Sequence, residues 1–182
     1  AAVARRANCK NVSTVVRRNT GFHLVAALDA ISAQFAPITT SSVYESTSVG
    51  FSGDNFLNLV LGLSSENKLG DISCYLKSLE DNLKRDRTAS RFSSRTLDVD
   101  ILVMDDRVIK EDGIELPRSE ILTNAFVLWP LAEIAPDSIH PLTGKTYSRH
   151  WREFDRGDQK LWPVDFAWSG KTISSKSNKK IL

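Results

Sequence analysis

Residues 95–104 read RTLDVDILVM, and the alternation inside this stretch decides how the rest of the chain is read. Leu97, Val99, Ile101 and Val103 recur at every second position, the period of a β-strand with one apolar face. Asp98 and Asp100 stand two apart between them, so both carboxylates point to the opposite face, about 7 Å apart along the strand. Two acids placed in this way repel each other and resist desolvation unless a cation neutralises them. Oxygen ligands without a neighbouring His or Cys favour Mg²⁺, which binds one or two carboxylates together with the phosphates of a substrate. The competing reading is the solvated polar face of an edge strand, and D-x-D alone does not separate the two.

The residues just before the strand tip the balance. Lys84, Arg85, Arg87, Arg91 and Arg95 fall within twelve residues, with Asp86 as the sole acid among them. Guanidinium forks match phosphate oxygens two at a time and neutralise charge that develops during phosphoryl transfer. Thr88, Ala89, Ser90, Ser93 and Ser94 are interspersed, which suits a loop that closes on a nucleotide. A sheet that grips nucleic-acid backbone is a weaker reading of the same arginines. Asp98 and Asp100 would repel a polyanion, and the aromatic strand motif of RNA-binding sheets is absent.

Toward the N-terminus, Leu69, Ile72, Leu76, Leu79 and Leu83 mark an amphipathic helix, and Phe56 to Leu63 reads as a strand. Residues 46–55 carry Gly50, Gly53 and small polar side chains and form a loop able to close over a ligand. Ile38 to Glu45 is a further strand, Phe22 opens a helix that ends before Pro37, and Val12 to Val16 is a short first strand. Toward the C-terminus, Asp106, Asp112 and Gly113 punctuate turns, and Pro117 halts an extended piece. Asn124 caps a helix through Ala125, Phe126, Leu128, Trp129 and Leu131, with Pro130 kinking it or ending its first turn. Tyr147 to Phe154 is a short helix and Leu161 to Trp168 a closing strand. The order strand, helix, strand, strand, helix, strand is the split βαβ arrangement of an α+β, ferredoxin-like fold. A mainly antiparallel sheet with helices on one face, followed by a C-terminal helical and strand appendage, is therefore expected.

A length of 182 residues with 41% hydrophobic content supports one well-buried core, taken as a single domain over 1–168. Residues 1–18 are atypical and basic, and 169–182 are Ser/Lys-rich and read as a disordered tail. The net charge of +2 makes no case for a nucleic-acid or membrane-surface partner. Cys9 and Cys74 fit neither a disulfide framework nor a metal spacing, and Cys74 reads as a small buried thiol. Reduced cysteines, with no transmembrane run and no signal-peptide core at the start of the chain, point to a cytoplasmic protein. His23 and His140 read as structural and His150 as a surface residue.

SSRTLDVDILV, LPRSEILTNAFVLWPLAEIAP, and the pair VYES with NFLNLV together resemble the 6-hydroxymethyl-7,8-dihydropterin pyrophosphokinases of folate biosynthesis, from about residue 22 to 168. The resemblance implies an enzyme that moves the β,γ-pyrophosphoryl group of ATP to the pterin hydroxymethyl oxygen, leaving AMP. It implies that Asp98 and Asp100 hold two Mg²⁺ ions and that Arg85 and Arg95 are catalytic. Arg87 and Arg91 would approach the phosphates, Lys77 and Glu80 would face the nucleotide from a helix, and Ile101 would pack on the adenine side. Arg118 would serve the phosphates where many members carry a His. Asn58 would read the pterin edge, with Ser46 and Val49 in the adjoining loop. Phe126 would stack on the ring, and Phe56 and Phe92 stand where many members carry Tyr and Trp. ATP and the pterin would be small-molecule partners of a monomer. The family ends its first strand in a tight GSN turn, whereas Val15, Val16 and Arg17 occupy those slots here. A catalytically impaired nucleotide-binding relative with a regulatory or partner-binding role is the alternative this departure suggests.

Overall fold

The computed structural model describes residues 10–18, 21–47, 55–84, 97–111 and 113–177. In chain order its elements begin with β1 (Lys10–Arg18), α1 (Gly21–Phe35), β2 (Ile38–Thr40), β3 (Tyr44–Ser46), β4 (Phe56–Ser65), α2 (Leu69–Lys84) and β5 (Asp98–Met104). They continue with β6 (Ile109–Glu111), β7 (Ile114–Leu116), a 3-10 turn at Ser119–Leu122, α3 (Ala125–Ile134), α4 (Tyr147–Glu153), β8 (Leu161–Pro163), β9 (Phe166–Trp168) and β10 (Lys171–Ser174). The main sheet has six strands in the order β5-β1-β4-β3-β8, with β2 also on β4, and its pairings are antiparallel. This is the expected split βαβ order, with β1 central between β4 and β5.

The two faces of that sheet follow from side-chain alternation along its strands. Val12 and Val16 of β1 pack with Leu59, Leu61 and Leu63 of β4 under Leu24, Leu28 and Ile31 of α1 and Ile72 and Leu76 of α2. Val15 and Val60 face the other way, into a second cluster built on Phe126, Leu128 and Leu131 of α3 and Trp151 of α4. The C-terminal helical appendage is thus a third layer, packed on the face that α1 and α2 leave open. Burial of large side chains on both faces, at about 1.5–3 kcal/mol each, is the main force holding the layers together.

Several boundaries depart from the sequence pattern. β1 runs for nine residues rather than five, because both of its edges are paired. In β5 the register against β1 slips between Ser13 and Thr14. This bulge turns Leu102 and Val103 together toward α3 and returns Met104 to the α1 and α2 side. Val103 therefore does not share a face with Leu97, Val99 and Ile101. The expected strand Ile38 to Glu45 is two strands, broken where the Ser41 hydroxyl accepts the Val60 N–H at 2.9 Å while Ser41 N–H donates to Val60 O at 2.9 Å. A side-chain oxygen there stands in for a ladder carbonyl. Leu161 to Trp168 is likewise split, β8 joining β3 and β9 joining β10.

The tail assignment also changes. Residues 171–174 form β10, Ser174 is buried and donates its hydroxyl to Val43 O at 3.2 Å, and Ile173 packs against the core. Pairing with β9, one apolar residue and one satisfied hydroxyl hold a segment whose composition suggested disorder. Residues 178–182 and 1–9 lie outside the described residues. Cys74 is exposed rather than buried, because α2 turns Ile72, Leu76 and Leu79 inward instead. No helix among the described residues is long and apolar enough to cross a membrane.

Candidate active site

β5 is an edge of the main sheet, so the polar side chains at its start are open to solvent on one flank. Asp98 and Asp100 lie on the α3 side of the strand, opposite Val99 and Ile101. A cleft with about 550 Å³ of free space, its open mouth included, wraps this edge. Lys77, Glu80, Asp98, Asp100, Ile101 and Arg118 all line it, so six residues singled out from the sequence come together at one place. The cleft is also lined by Gly113, Ile114 and Glu115 of the β6–β7 hairpin, residues that no local pattern ties to a site. Gly113 adopts φ +73°, a left-handed turn conformation that an L side chain rarely takes.

The charges in the cleft are arranged around Asp100. Its Oδ1 lies 3.3 Å from one terminal nitrogen of Arg118, whose other nitrogens reach Glu120 Oε2 at 2.8 and 3.0 Å. Burial raises the Asp100 carboxyl above its ordinary pKa, Asp98 and Glu120 add to that effect, and Arg118 and Arg17 oppose it. The Arg118 guanidinium is raised as well, since its bond to Glu120 and the nearby acids outweigh its own burial. Glu80 lines the cleft with a second task, because its Oε1 accepts the Val99 N–H at 2.6 Å. The α2 helix thereby satisfies a backbone donor on the exposed edge of β5.

The remaining site residues stand on the same sheet face. The strand registers place Asp98 opposite Arg17, Arg17 opposite Asn58, and Asn58 opposite Tyr44. One row therefore runs from the carboxylates on β5 across β1 and β4 to β3. Asn58 is fully buried, and its Nδ2 donates to Ser46 Oγ at 3.0 Å, Phe56 O at 3.0 Å and Tyr44 O at 3.3 Å. Ser46 is thus a side-chain anchor for the amide as well as part of the loop entrance. Phe126, at the start of α3, lies under the Arg17 guanidinium, 4.5 Å from its central carbon to the ring centroid. Phe56 sits at the head of β4, partnering Ser46 across the strands.

The N-terminus of α3, which fixes Phe126, is held by a residue the sequence did not single out. Asn124 occupies the N-cap position but makes no side-chain cap bond. Gln159 Oε1 instead accepts the Ala125 N–H at 2.8 Å, and its Nε2 donates to Thr123 O at 2.9 Å. A cap supplied from 34 residues away has no local signature. Arg17, which the resemblance puts in a turn slot, lies within β1. Its strand continues in register to Arg18 opposite Leu57, with Val15 and Val16 buried. Arg85, Arg87, Arg91, Phe92 and Arg95, within 85–96, and Val49, within 48–54, lie outside the described residues.

The donor set suits a hard cation. Asp98 and Asp100 supply carboxylate oxygens beside a cleft large enough for phosphates, and magnesium sites commonly complete their coordination with substrate and water oxygens. Among the described residues no group of three or more His, Cys, Asp or Glu forms an all-protein cage.

Residues 13–136 match the family model of 7,8-dihydro-6-hydroxymethylpterin-pyrophosphokinase, a span that contains Arg17, Asn58, Asp98, Asp100, Arg118 and Phe126. A folic acid synthesis protein of Dictyostelium discoideum is 34% identical over 112 residues, covering 61% of this chain and 17% of that protein. The 2-amino-4-hydroxy-6-hydroxymethyldihydropteridine pyrophosphokinase of Aquifex aeolicus is 32% identical over 115 residues, covering 63% of this chain and 69% of that one. The crystal structure of Plasmodium falciparum HPPK-DHPS with pterin and p-hydroxybenzoate superposes with a TM-score of 0.64 at 13% identity, over 82% of this chain and 44% of that chain. At that identity the superposition shows shared fold alone.

Proposed function

Because the chain belongs to the 7,8-dihydro-6-hydroxymethylpterin-pyrophosphokinase family, we propose that it transfers the β,γ-pyrophosphoryl group of ATP to the hydroxymethyl oxygen of 6-hydroxymethyl-7,8-dihydropterin. The observation that carries this reading is the position of Asp98 and Asp100. They stand between the cleft lined by Lys77, Glu80 and Ile101 and the row that leads to Asn58 and Phe126. A nucleotide on one side and a flat heterocycle on the other would meet at the two carboxylates. The hydroxymethyl oxygen bonds to the β-phosphorus, the bond from that phosphorus to the bridging oxygen of AMP breaks, and the hydroxyl proton is released.

In this reading Asp98 and Asp100 hold two Mg²⁺ ions, which supply charge neutralisation and Lewis acidity at the reacting phosphate. Arg118 restrains Asp100 and presents its guanidinium to the phosphates. Lys77 contributes a mobile positive charge, and Ile101 an apolar wall for the base. Arg85, Arg87, Arg91 and Arg95 would close over the polyphosphate. A divalent cation at Asp100 would oppose the burial that raises its carboxyl pKa. The partners are small molecules and the working unit is a monomer.

Incubation of the protein with ATP, Mg²⁺ and the hydroxymethyl dihydropterin tests the proposal. AMP and pterin diphosphate are expected in equal amounts. Nucleotide binding without AMP release would reject the transfer reaction in favour of a nucleotide-binding relative without catalysis.

A further inference from the structure

Asn58 presents one hydrogen-bonding sense to the site. Its amide nitrogen is committed to two backbone carbonyls and the Ser46 hydroxyl, which also fixes the orientation of the amide. Its Oδ1 is buried and, among the described residues, without a partner. Asn58 thus keeps an acceptor to spare and has no donor left to offer. Opposite it, at the paired register position on β1, the Nε–H of Arg17 is a buried donor, also without a partner among the described residues. Paired residues on antiparallel strands project from the same face with Cβ atoms about 4.5–5.5 Å apart. The two residues are therefore neighbours on one sheet face, and neither unmet atom bonds the other.

We propose that Arg17 is a specificity-determining residue for the planar substrate, its Nε–H and Asn58 Oδ1 forming one donor–acceptor couple that reads a ring edge. This rests on the functional reading above and deepens it. The guanidinium is held against Phe126, so the donor direction is set before the ligand arrives, and Asp98 on the other side of Arg17 adds a carboxylate of opposite charge. The matching ligand edge carries an N–H next to an oxygen acceptor, as the N3–H and C4 oxo group of a 2-amino-4-oxopteridine do. A 2,4-diaminopteridine presents the reverse order at that edge, an acceptor nitrogen beside an amino donor, and meets like with like at both atoms.

The test measures binding of 6-hydroxymethylpterin and of a 2,4-diaminopteridine, by their fluorescence, to the full chain in the presence of Mg²⁺ and a non-hydrolysable ATP analogue. It compares wild type, Arg17→Met and Arg17→Lys. Methionine keeps apolar contact with Phe126, lysine keeps the charge, and both lack the Nε–H. Both variants are expected to bind the 4-oxo compound about 10- to 100-fold more weakly, the scale of a hydrogen bond from a charged donor. The preference for the oxo over the diamino ring should shrink in parallel, with binding of the ATP analogue unchanged. Equal or tighter binding of the 4-oxo compound in either variant overturns the proposal, marking Arg17 as a bystander or as an obstruction over Phe126. An unchanged oxo-to-diamino preference overturns it too. Wild-type protein that binds the nucleotide analogue but neither pteridine overturns the functional reading itself, a result separable from the other two.

Discussion

At the scale of single residues, the site is governed by where charge is left uncompensated. Asp98 and Asp100 share a strand face, and one guanidinium, that of Arg118, is 3.3 Å from Asp100. Asp98→Ala and Asp100→Ala should each lower AMP release on the order of 100-fold or more, the scale of removing one preorganised electrostatic group. Their unfolding curves should stay near wild type, since neither side chain belongs to the two apolar clusters. Undiminished AMP release in both variants would reject the cation-holding role. Arg118→Ala removes the counter-charge from Asp100 and Glu120 together, so this variant should gain more thermal stability from added Mg²⁺ than wild type does. An identical Mg²⁺ effect on both proteins would show that Arg118 and the cation do not share Asp100. The D-x-D pair was legible from spacing because strand alternation is a local rule. That Arg17 faces Asp98 on one side and Asn58 on the other was not, since it depends on strand pairings that no short stretch records.

Among elements, α3 carries Phe126 and is fastened at both ends by distant residues. At its start, Gln159→Ala would leave Ala125 N–H and Thr123 O without their partner. A loss of about 1–2 kcal/mol in denaturant unfolding is expected, with weaker pterin binding because the ring that carries Arg17 is less firmly placed. Asn124→Ala should cost much less, since Asn124 makes no cap bond; the opposite ranking would contradict this account of the helix start. The turn after α3 carries a pH-dependent contact. His140 is buried, its Nδ1 accepts the Leu142 N–H at 3.3 Å, and burial together with His150 lowers its pKa below the ordinary 6.5. The unfolded chain gains a proton near pH 6.5 that the folded chain still resists, so stability is complete above that value and declines as pH falls toward the folded pKa. Unfolding free energy should therefore fall as pH drops below about 6.5, and the His140→Asn profile should be flatter. Helices α1 and α2 were readable because apolar residues at helical spacing need no partner to be recognised. The break between β2 and β3 was not, because it is made by Ser41 bonding to Val60 on another strand.

Across the whole molecule, one carboxylate ties the α3 layer to the sheet. Glu133 accepts from Ser42 N–H and Ser42 Oγ, both at 2.9 Å, and from the Tyr44 hydroxyl at 3.1 Å. Burial, then the Glu133 charge and its hydrogen bond, raise the Tyr44 pKa, so the phenol stays protonated and keeps donating. Glu133→Ala strands three donors in a poorly hydrated setting, and roughly 2–4 kcal/mol of stability should be lost. A loss under about 0.5 kcal/mol, the usual range for surface substitutions, would refute the tie.

The sequence by itself determined the split βαβ order and the paired aspartates on one strand face, because both follow from the periodicity of local segments; the resemblance implied site roles for Lys77, Glu80, Ile101 and Arg118, and the fold brings them into one cleft. Only the tertiary structure decided the β5 bulge, the Gln159 cap, the hairpin wall of the cleft, the ordering of residues 171–174 and the row through Arg17. Each of these is a contact between segments far apart in the chain, and such contacts are fixed when both faces of the sheet are covered, a condition that no local pattern encodes.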